Sequence, residues 1–268
     1  MGRSERGRAL GCGPVRNDIP PHRAGEPIRA GVPEHGRIPR YYAVKTELLV
    51  LIEEIGEGAC LPAERELAER YGVSRVTLRQ AVGELVLEGR LLRRQGSRTV
   101  VAPPKLLQPL ALVSYTEGIR TQGLEPGRTV ISAEVLSADP QLAADLGVEP
   151  GGEVIYLERV LLAGGERVGL ESSYLPRHRF PRLLEDFDAD GSLYAFLQRE
   201  LGVVFGEAEE RIETVLATPR EALLIGTNPA TPMILLHRVS WEPDGTPIER
   251  VRSLFRGDRF SFVTRLRQ

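Results

Sequence analysis

The 268-residue sequence is short of several residues and patterns, and each shortage excludes a class of protein. Its two cysteines, Cys12 and Cys60, are too few for a disulfide scaffold and are typical of the reducing cytoplasm. No stretch approaches the roughly 20 apolar residues of a membrane helix, and the first forty residues lack the apolar core of a signal peptide. We therefore expect a cytoplasmic protein with no membrane partner.

The usual motifs of enzymes and metal sites are also missing. The sequence holds no CxxC, HExxH, GxSxG or GxxxxGK(S/T) pattern. Its four histidines are too scattered to suggest a metal cluster: His22, His35, His178 and His237. These absences predict no metal, no cofactor and no catalytic residues.

Charge is unevenly distributed, although the net charge is only -2. The first 105 residues carry 18 Lys and Arg against 13 Asp and Glu, whereas the remaining residues carry 17 against 24. A basic first half beside an acidic second half favours a polyanion partner at the first half. Chance variation in surface charge is the alternative that these counts leave open.

Composition and periodicity divide the chain into a tail and two domains. Residues 1–38 are rich in Gly, Pro and Arg without a period, which predicts a disordered tail. Pro103-Pro104-Lys105 predicts a short, stiff linker, which we place at residues 103–107. The domains on either side are then residues 39–102 and 108–268.

The first domain has the pattern of three helices followed by a hairpin. Apolar residues at helical spacing predict helices over residues 41–55, 64–70 and 75–88, the last one capped by Ser74. Two strand-like runs, residues 90–94 and 99–102, flank the turn Gln95-Gly96-Ser97-Arg98. Three helices and a hairpin within about 65 residues are the layout of a winged helix-turn-helix.

The third helix places polar side chains on the face opposite its apolar residues. Arg75, Val76, Arg79 and Gln80 fall on this face, within the first two turns. Arginine makes bidentate contacts with guanine, glutamine with adenine, and valine contacts a thymine methyl group. We therefore expect these four side chains to read bases in the major groove. An ordinary solvent-exposed helix is the alternative.

Further DNA contacts are expected around this helix. Arg65, on the preceding helix, would approach the DNA backbone or the groove edge. Arg94, Gln95, Gly96 and Arg98 surround the hairpin tip, as a wing that contacts the minor groove or phosphates requires. Solvated turn charges are the alternative for the tip.

The second domain has the pattern of strands with short helices. Strand candidates are residues 110–115, 129–137, 152–162, 166–175, 207–217, 232–242 and 247–256, and short helices fit 140–146, 191–201 and 219–225. A weak repeat at an offset of 79 pairs Pro140 with Pro219 and Arg159 with Arg238. It predicts one antiparallel domain with pseudo-twofold symmetry and a ligand-binding crevice at its centre.

Both domains resemble known families. Residues 61–101, LPAERELAERYGVSRVTLRQAVGELVLEGRLLRRQGSRTVV, resemble the DNA-binding domain of GntR-family bacterial transcription regulators. Four segments of the second domain resemble the UTRA effector domain of the HutC subfamily. They are LVSYTEGIRTQG (112–123), LERVLLAGGERVGLESSYLP (157–176), GSLYAFLQRELGV (191–203) and GTPIERVRSLFRGDRFSF (245–262). The resemblance implies an α+β fold: an N-terminal winged helix-turn-helix domain, then an antiparallel-sheet UTRA domain that is chorismate-lyase-like.

The resemblance also implies a function and its residues. It implies a homodimer on a pseudo-palindromic double-stranded DNA operator, most often a repressor, whose affinity a small-molecule effector in the second domain alters. The matching DNA-contacting positions are Arg65, Ser74, Arg75, Thr77, Arg79 and Gly96, with a phosphate contact at most for Thr77. The matching effector positions are Ser114, Thr116, Arg159, Glu171, Ser192, Tyr194, Glu249 and Phe255.

The chemistry of the effector positions suits a small polar molecule. Hydroxyls and an arginine would hold an anion, while carboxylates would accept hydrogen bonds from ligand hydroxyls or an amine. For Glu171 and Glu249, structural salt bridges with Arg159 or Arg250 are the alternative.

The chain departs from the family pattern at four positions. Ala63 replaces the serine that usually caps the second helix, and Arg98 replaces a second wing glycine. In the effector domain, Leu161 replaces an arginine and Phe255 a tyrosine that are common in sugar-phosphate binders. Loss of a cation and a hydroxyl weakens the case for a phosphorylated effector, so a sugar phosphate and an organic acid both stay open.

Two further functions stay open on the sequence. The UTRA fold is related to a lyase that acts on chorismate, which makes catalysis in the crevice conceivable, although fold analogy is a weak argument. A sequence-neutral DNA binder would show strong salt dependence without operator preference. We expect the ligand-responsive regulator rather than an enzyme.

Overall fold

The structure, a computed structural model, describes residues 38–94 and 98–266, with only the backbone at Arg94. The chain divides after Pro103 into two compact units. Within the described ranges no helix is both long enough and apolar enough to cross a bilayer. The predicted disordered tail, residues 1–38, lies outside these ranges except for Ile38.

The first unit contains three helices and a two-stranded antiparallel sheet. Apolar residues at helical spacing on α1 pack against Leu78 and Leu85 of α3, as their periodicity predicts. β1 pairs with β2, with Leu91 opposite Val101. These elements form a winged helix-turn-helix, and the wing tip, residues 95–97, lies outside the described residues. The elements are α1 Arg40–Ile55, α2 Glu64–Arg70, α3 Arg75–Leu87, β1 Leu91–Arg94 and β2 Arg98–Val101.

The two helices of the helix-turn-helix begin in different ways. At α3, the backbone N–H of Thr77 donates to the Ser74 hydroxyl at 3.2 Å, which satisfies a free donor at the helix start. At α2, Ala63 occupies the cap position and offers no side-chain acceptor. The second helix therefore starts without the hydrogen bond that stabilises the third.

The second unit is built around a six-stranded antiparallel sheet with the strand order β4-β5-β6-β9-β8-β7. Its strands are β4 Pro126–Ser137, β5 Glu153–Ala163, β6 Glu166–Pro176, β7 Glu207–Leu216, β8 Pro232–Trp241 and β9 Pro247–Arg256. Its helices are α4 Tyr115–Arg120, α5 Pro140–Leu146, α6 Leu183–Asp186, α7 Leu193–Arg199 and α8 Pro219–Ile225. The antiparallel effector-domain architecture expected for this half is thereby confirmed.

The sheet has the internal symmetry that the sequence repeat predicts. The run α5–β5–β6 recurs as α8–β8–β9, and the two copies meet where β6 pairs with β9. Both short helices end at a glycine with left-handed backbone, Gly147 at φ 63° and Gly226 at φ 74°. β4 and β7 occupy the two edges of the sheet. Each edge strand is therefore followed inward by the first and then the second strand of one repeat copy.

The predicted strand over residues 110–115 is wrong. The strand lies earlier, β3 Leu106–Pro109, and pairs in parallel with β10 Phe260–Val263. The chain then turns into α4 because the Ser114 hydroxyl accepts the N–H of Glu117 at 3.2 Å, which caps a helix. β3 includes Leu106 and Leu107, the last two residues of the segment expected as linker.

The missing cap of α2 predicts a stabilising substitution. Ala63→Ser supplies the absent acceptor and is expected to stabilise the first unit by about 1 kcal/mol, which raises its melting temperature by roughly 4–8 °C. Ser74→Ala, which removes the existing cap of α3, is expected to lower it by a similar amount. Differential scanning calorimetry of the full chain measures both; an unchanged transition for Ala63→Ser would contradict the capping argument.

Candidate functional site

The start of α3 forms an exposed polar face. Arg75, Arg79 and Gln80 are exposed, whereas Leu78 is fully buried. Val76 is 76% exposed, which is unusual for an apolar side chain on a packed helix. The structure thus brings the four expected base-reading side chains together on one surface.

Residues next to this face already have local partners. The Nε of Arg79 donates to Glu64 Oε2 at 2.7 Å, across the turn between α2 and α3. Arg65 is exposed and lies 3.8 Å from Glu69. The hydroxyls of Ser74 and Thr77 hydrogen-bond each other at 2.9 Å in the cap of α3. The two hydroxyl groups therefore sit at the base of the exposed face.

Of the expected basic side chains of the wing, the structure describes that of Arg98. Arg98 is exposed at the start of β2, and its backbone lies opposite that of Arg94. The predicted wing residues Gln95 and Gly96 lie outside the described residues.

The second unit contains a polar cavity over the pairing of β6 with β9. It has a volume of about 60 Å³, enough for a few water-sized groups. Seven of the eight expected effector residues line it; Thr116 does not, but its hydroxyl accepts from Arg128, a lining residue, at 2.9 Å. The polar and aromatic lining residues are Gln108, Ser114, Tyr115, Arg128, Arg159, Glu171, Ser173, Ser192, Tyr194, Arg238, Glu249, Ser253, Phe255 and Phe262.

Three arginines reach this cavity, of which only Arg159 was expected. Arg238 comes from β8 at the position that the offset of 79 pairs with Arg159, so the repeat already held the signal for it. Arg128 comes from the edge strand β4, and no repeat or motif pointed to it. The cation missing at Leu161 is therefore supplied from elsewhere, and Leu161 itself is buried among apolar side chains.

Arg159 holds one wall of the cavity. It is almost completely buried, and its Nη2 donates to Glu171 Oε1 at 2.6 Å while Nη1 donates to the Gly191 carbonyl at 3.1 Å. The salt bridge considered for Glu171 therefore exists, and both partners still line the cavity. Arg250, the other partner considered, lies 3.3 Å from Asp145 instead.

Glu249 lies at the cavity floor, fully buried. Its Oε1 accepts from the Tyr194 hydroxyl at 2.5 Å and from Ser240 at 3.3 Å. Burial raises the pKa of Glu249 to about 7, although these hydrogen bonds and the charge of Arg238 act in the opposite direction. The carboxyl group therefore changes its protonation near neutral pH.

Tyr194 links the Glu249 carboxyl to Arg238, the counterpart of Arg159 in the sequence repeat. Arg238 Nη1 donates to the Tyr194 hydroxyl at 2.9 Å, and its other nitrogens pair with Glu210. Burial raises the pKa of Tyr194, so the phenol stays protonated. Burial alone would lower the pKa of Arg238, but Tyr194 and Glu210 outweigh it and the net shift is upward.

Five buried polar atoms lack a hydrogen-bond partner within the described residues, and all five belong to residues that line the cavity. Each unmade bond at a buried polar atom costs about 1–3 kcal/mol, so such atoms are rare unless a ligand or solvent uses them. Their concentration at one place makes this cavity the candidate binding site. They are Gln108 Oε1, Tyr115 Oη, Arg128 Nε, Arg159 Nε and Glu249 Oε2.

Comparison with known proteins identifies the families of the two domains. The model for bacterial regulatory proteins of the gntR family matches residues 41–101, and the UTRA domain model matches residues 121–261. The chain belongs to the GntR family. Its architecture is that of the HutC type, so this GntR-family chain is a DNA-binding transcription regulator with an effector-binding domain.

Individual relatives of this GntR-family chain are named repressors. It is 47% identical over 227 residues to the transcriptional repressor PhnF of Mycolicibacterium smegmatis, covering 85% of this chain and 92% of that one. It is 35% identical over 229 residues to the repressor NagR of Bacillus subtilis, covering 84% and 94%. The crystal structure of the M. smegmatis PhnF matches with a TM-score of 0.62 at 47% identity, over 84% of this chain and 99% of that one.

The buried carboxyl predicts a pH-dependent stability difference. Because the folded-state pKa of Glu249 is raised above its ordinary 4.5 to about 7, its contribution to stability is present below pH 4.5 and is lost as pH rises through 7. Glu249→Gln removes this loss, so the variant should exceed the original chain in stability at pH 8 by roughly 2–3 kcal/mol, with little difference at pH 4.5.

Urea denaturation followed by the fluorescence of Trp241, the single tryptophan, measures this difference. Glu213→Gln, at an exposed carboxylate of β7, is the matched control and should show no such pH dependence. A stability difference for Glu249→Gln that is equal at both pH values would rule out the raised pKa.

Proposed function

We propose that this GntR-family regulator is a cytoplasmic, homodimeric repressor that binds a pseudo-palindromic operator and releases it when a small anion occupies the cavity. Repression is inferred from the names of PhnF and NagR. The observation that carries the effector assignment is the cavity in which three arginines and five partnerless polar atoms converge. We propose binding without turnover of the ligand.

The exposed face of α3 supports the DNA-reading role. Arg75 and Arg79 would contact guanine, Gln80 adenine and Val76 a thymine methyl group, because all four project from the first two turns of the helix. The DNA backbone would be contacted by Arg65, Ser74 and Thr77 and, on the wing, by Arg94, Gln95, Gly96 and Arg98. In this assignment, base contacts select the sequence and phosphate contacts set the orientation.

Arg128 supports an anionic effector most directly. Arg159 and Arg238 are paired with carboxylates, whereas Arg128 forms no ion pair with any carboxylate of the described residues. Its guanidinium stacks over the Tyr115 ring at 5.4 Å, and burial lowers its pKa. A half-buried cation that is not directly paired with a carboxylate is stabilised by an incoming carboxylate or phosphate. The small volume suits the anionic group of an organic acid or a sugar phosphate.

Gln108 offers a route from the cavity to the linker. It lines the cavity from β3, the strand that begins two residues after Pro104. The start of this strand is held in place because Lys105 Nζ donates to the Gly257 carbonyl at 2.6 Å. A ligand that engages Gln108 would act on the strand that continues the linker, and so on the operator affinity.

The DNA assignment predicts the effect of removing one base contact. Footprinting upstream of the chain's own gene should give a protected, two-part site. Arg75→Ala should weaken binding to this site at least 10-fold, because one bidentate contact contributes about 1–3 kcal/mol in each half-site. Binding to an unrelated duplex should change little.

Arg90→Ala, which removes an exposed arginine between the end of α3 and the start of β1, is the charge-matched control and should keep operator binding. Equal affinity of the original chain for the operator and an unrelated duplex would instead indicate a sequence-neutral binder.

The effector assignment predicts that Arg128 decides anion affinity. Inorganic phosphate, a set of sugar phosphates and a set of dicarboxylic acids serve as probes in isothermal titration calorimetry. At least one should bind and lower operator affinity, and Arg128→Gln should weaken that binding about 10- to 100-fold, the effect of one charge-assisted hydrogen bond.

Arg211→Gln is the control, since Arg211 is an exposed arginine of β7 that does not line the cavity. It should bind the same anion as the original chain does. Unaltered anion affinity in Arg128→Gln, or operator binding that no bound anion changes, would refute this part of the proposal.

A further inference from the structure

We infer that Glu64 determines operator specificity by holding Arg79 in the orientation that reads a base. The inference rests on the base-reading role proposed for Arg79. Glu64 would contact no base itself, and it would act through the arginine as a positioning residue.

The contact uses one edge of the guanidinium and leaves the other free. Arg79 Nε donates to Glu64 Oε2 at 2.7 Å, and the Arg79 side chain is still 64% exposed. A bidentate contact with guanine O6 and N7 requires two parallel N–H groups, which the two terminal nitrogens still supply. The carboxylate therefore holds the guanidinium at Nε and leaves both terminal nitrogens available for a base.

The two residues come from different helices, which makes the contact a positional constraint. Glu64 is the first residue of α2, whereas Arg79 lies in the second turn of α3. An unrestrained arginine loses side-chain conformational freedom when it is fixed, and a prior contact reduces that loss. In solvent an exposed ion pair contributes little stability, so the contact matters mainly for orientation.

The neighbouring base-reading arginine has no such support. Arg75 is exposed and forms no ion pair with a carboxylate of the described residues. We therefore expect the base pair read by Arg79 to be specified more strictly than the one read by Arg75. A carboxylate close to DNA also repels phosphates, so Glu64 should increase discrimination at some cost in total affinity.

The experiment is selection of binding sites by the full-length chain from a duplex library of random sequence, followed by sequencing. The original chain, Arg79→Ala, Glu64→Ala, Glu64→Gln and Glu66→Ala are compared. Glu66 is the matched control, because it is an exposed glutamate on the same turn of α2. Loss of either glutamate should raise affinity for unrelated DNA similarly.

The base preferences should differ among the variants. Arg79→Ala should lose the guanine preference at one position in each half-site. Glu64→Ala should reduce that preference at the same position at least 5-fold, Glu64→Gln should keep part of it through its amide oxygen, and Glu66→Ala should keep it fully.

The outcomes separate the inference from the function on which it rests. If Arg79→Ala selects the same sites as the original chain, Arg79 reads no base, and the base-reading assignment and this inference both fail. If Arg79→Ala loses the preference while both Glu64 variants keep it, only the positioning role of Glu64 is refuted.

Discussion

The pairing of β6 with β9 is the constraint on which the effector unit depends. It joins two copies of a helix and hairpin edge to edge, with Glu171 opposite Ser253 and Ser173 opposite Val251. Because side chains alternate between faces of a strand, this register sends one set of residues from both copies into the same space. Arg159 and Arg238 thus meet in a single cavity although they are far apart in the chain. A slip of one residue in this pairing would turn one of the two sets to the other face of the sheet.

The residues that line the cavity lower the stability of the folded second unit. The cavity walls hold a buried carboxyl with a raised pKa, an arginine without a direct ion pair and polar atoms that have no hydrogen-bond partner in the described part of the chain. Around them the sheet is apolar, with Leu161, Phe255 and Phe260 packed in one cluster. Natural proteins retain such local costs at functional sites, where a ligand supplies the missing interactions.

Much of this architecture could be predicted from the sequence, because it depends on local signals. Capping at Ser74 sets the start of α3, and the repeat that pairs residue 140 with residue 219 sets the symmetry of the sheet. The prediction of a strand at 110–115 was wrong. A short apolar run fits a strand and a loop that leads into a capped helix equally well. Only the hydrogen bond at Ser114 decides between them.

The site was harder to predict where it depends on contacts between distant residues. Arg128 reaches the cavity from an edge strand with a register shift between Val130 and Ser132, which no periodicity reveals. Arg238 was visible in the repeat but had no motif of its own. Likewise, the contact of Glu64 with Arg79 joins two helices, and the sequence alone shows only two charged residues 15 positions apart.

The parallel pairing of β3 with β10 affects the order in which the two units fold during synthesis. β3 is the first strand of the second unit and β10 is the last one among the described residues, and Lys105 and its partner Gly257 are 152 residues apart. A growing polypeptide folds its N-terminal domain first. The DNA-reading helices are therefore complete while β10 is still untranslated, and a newly made chain acquires its operator-binding surface before the strand that closes its sensory half exists.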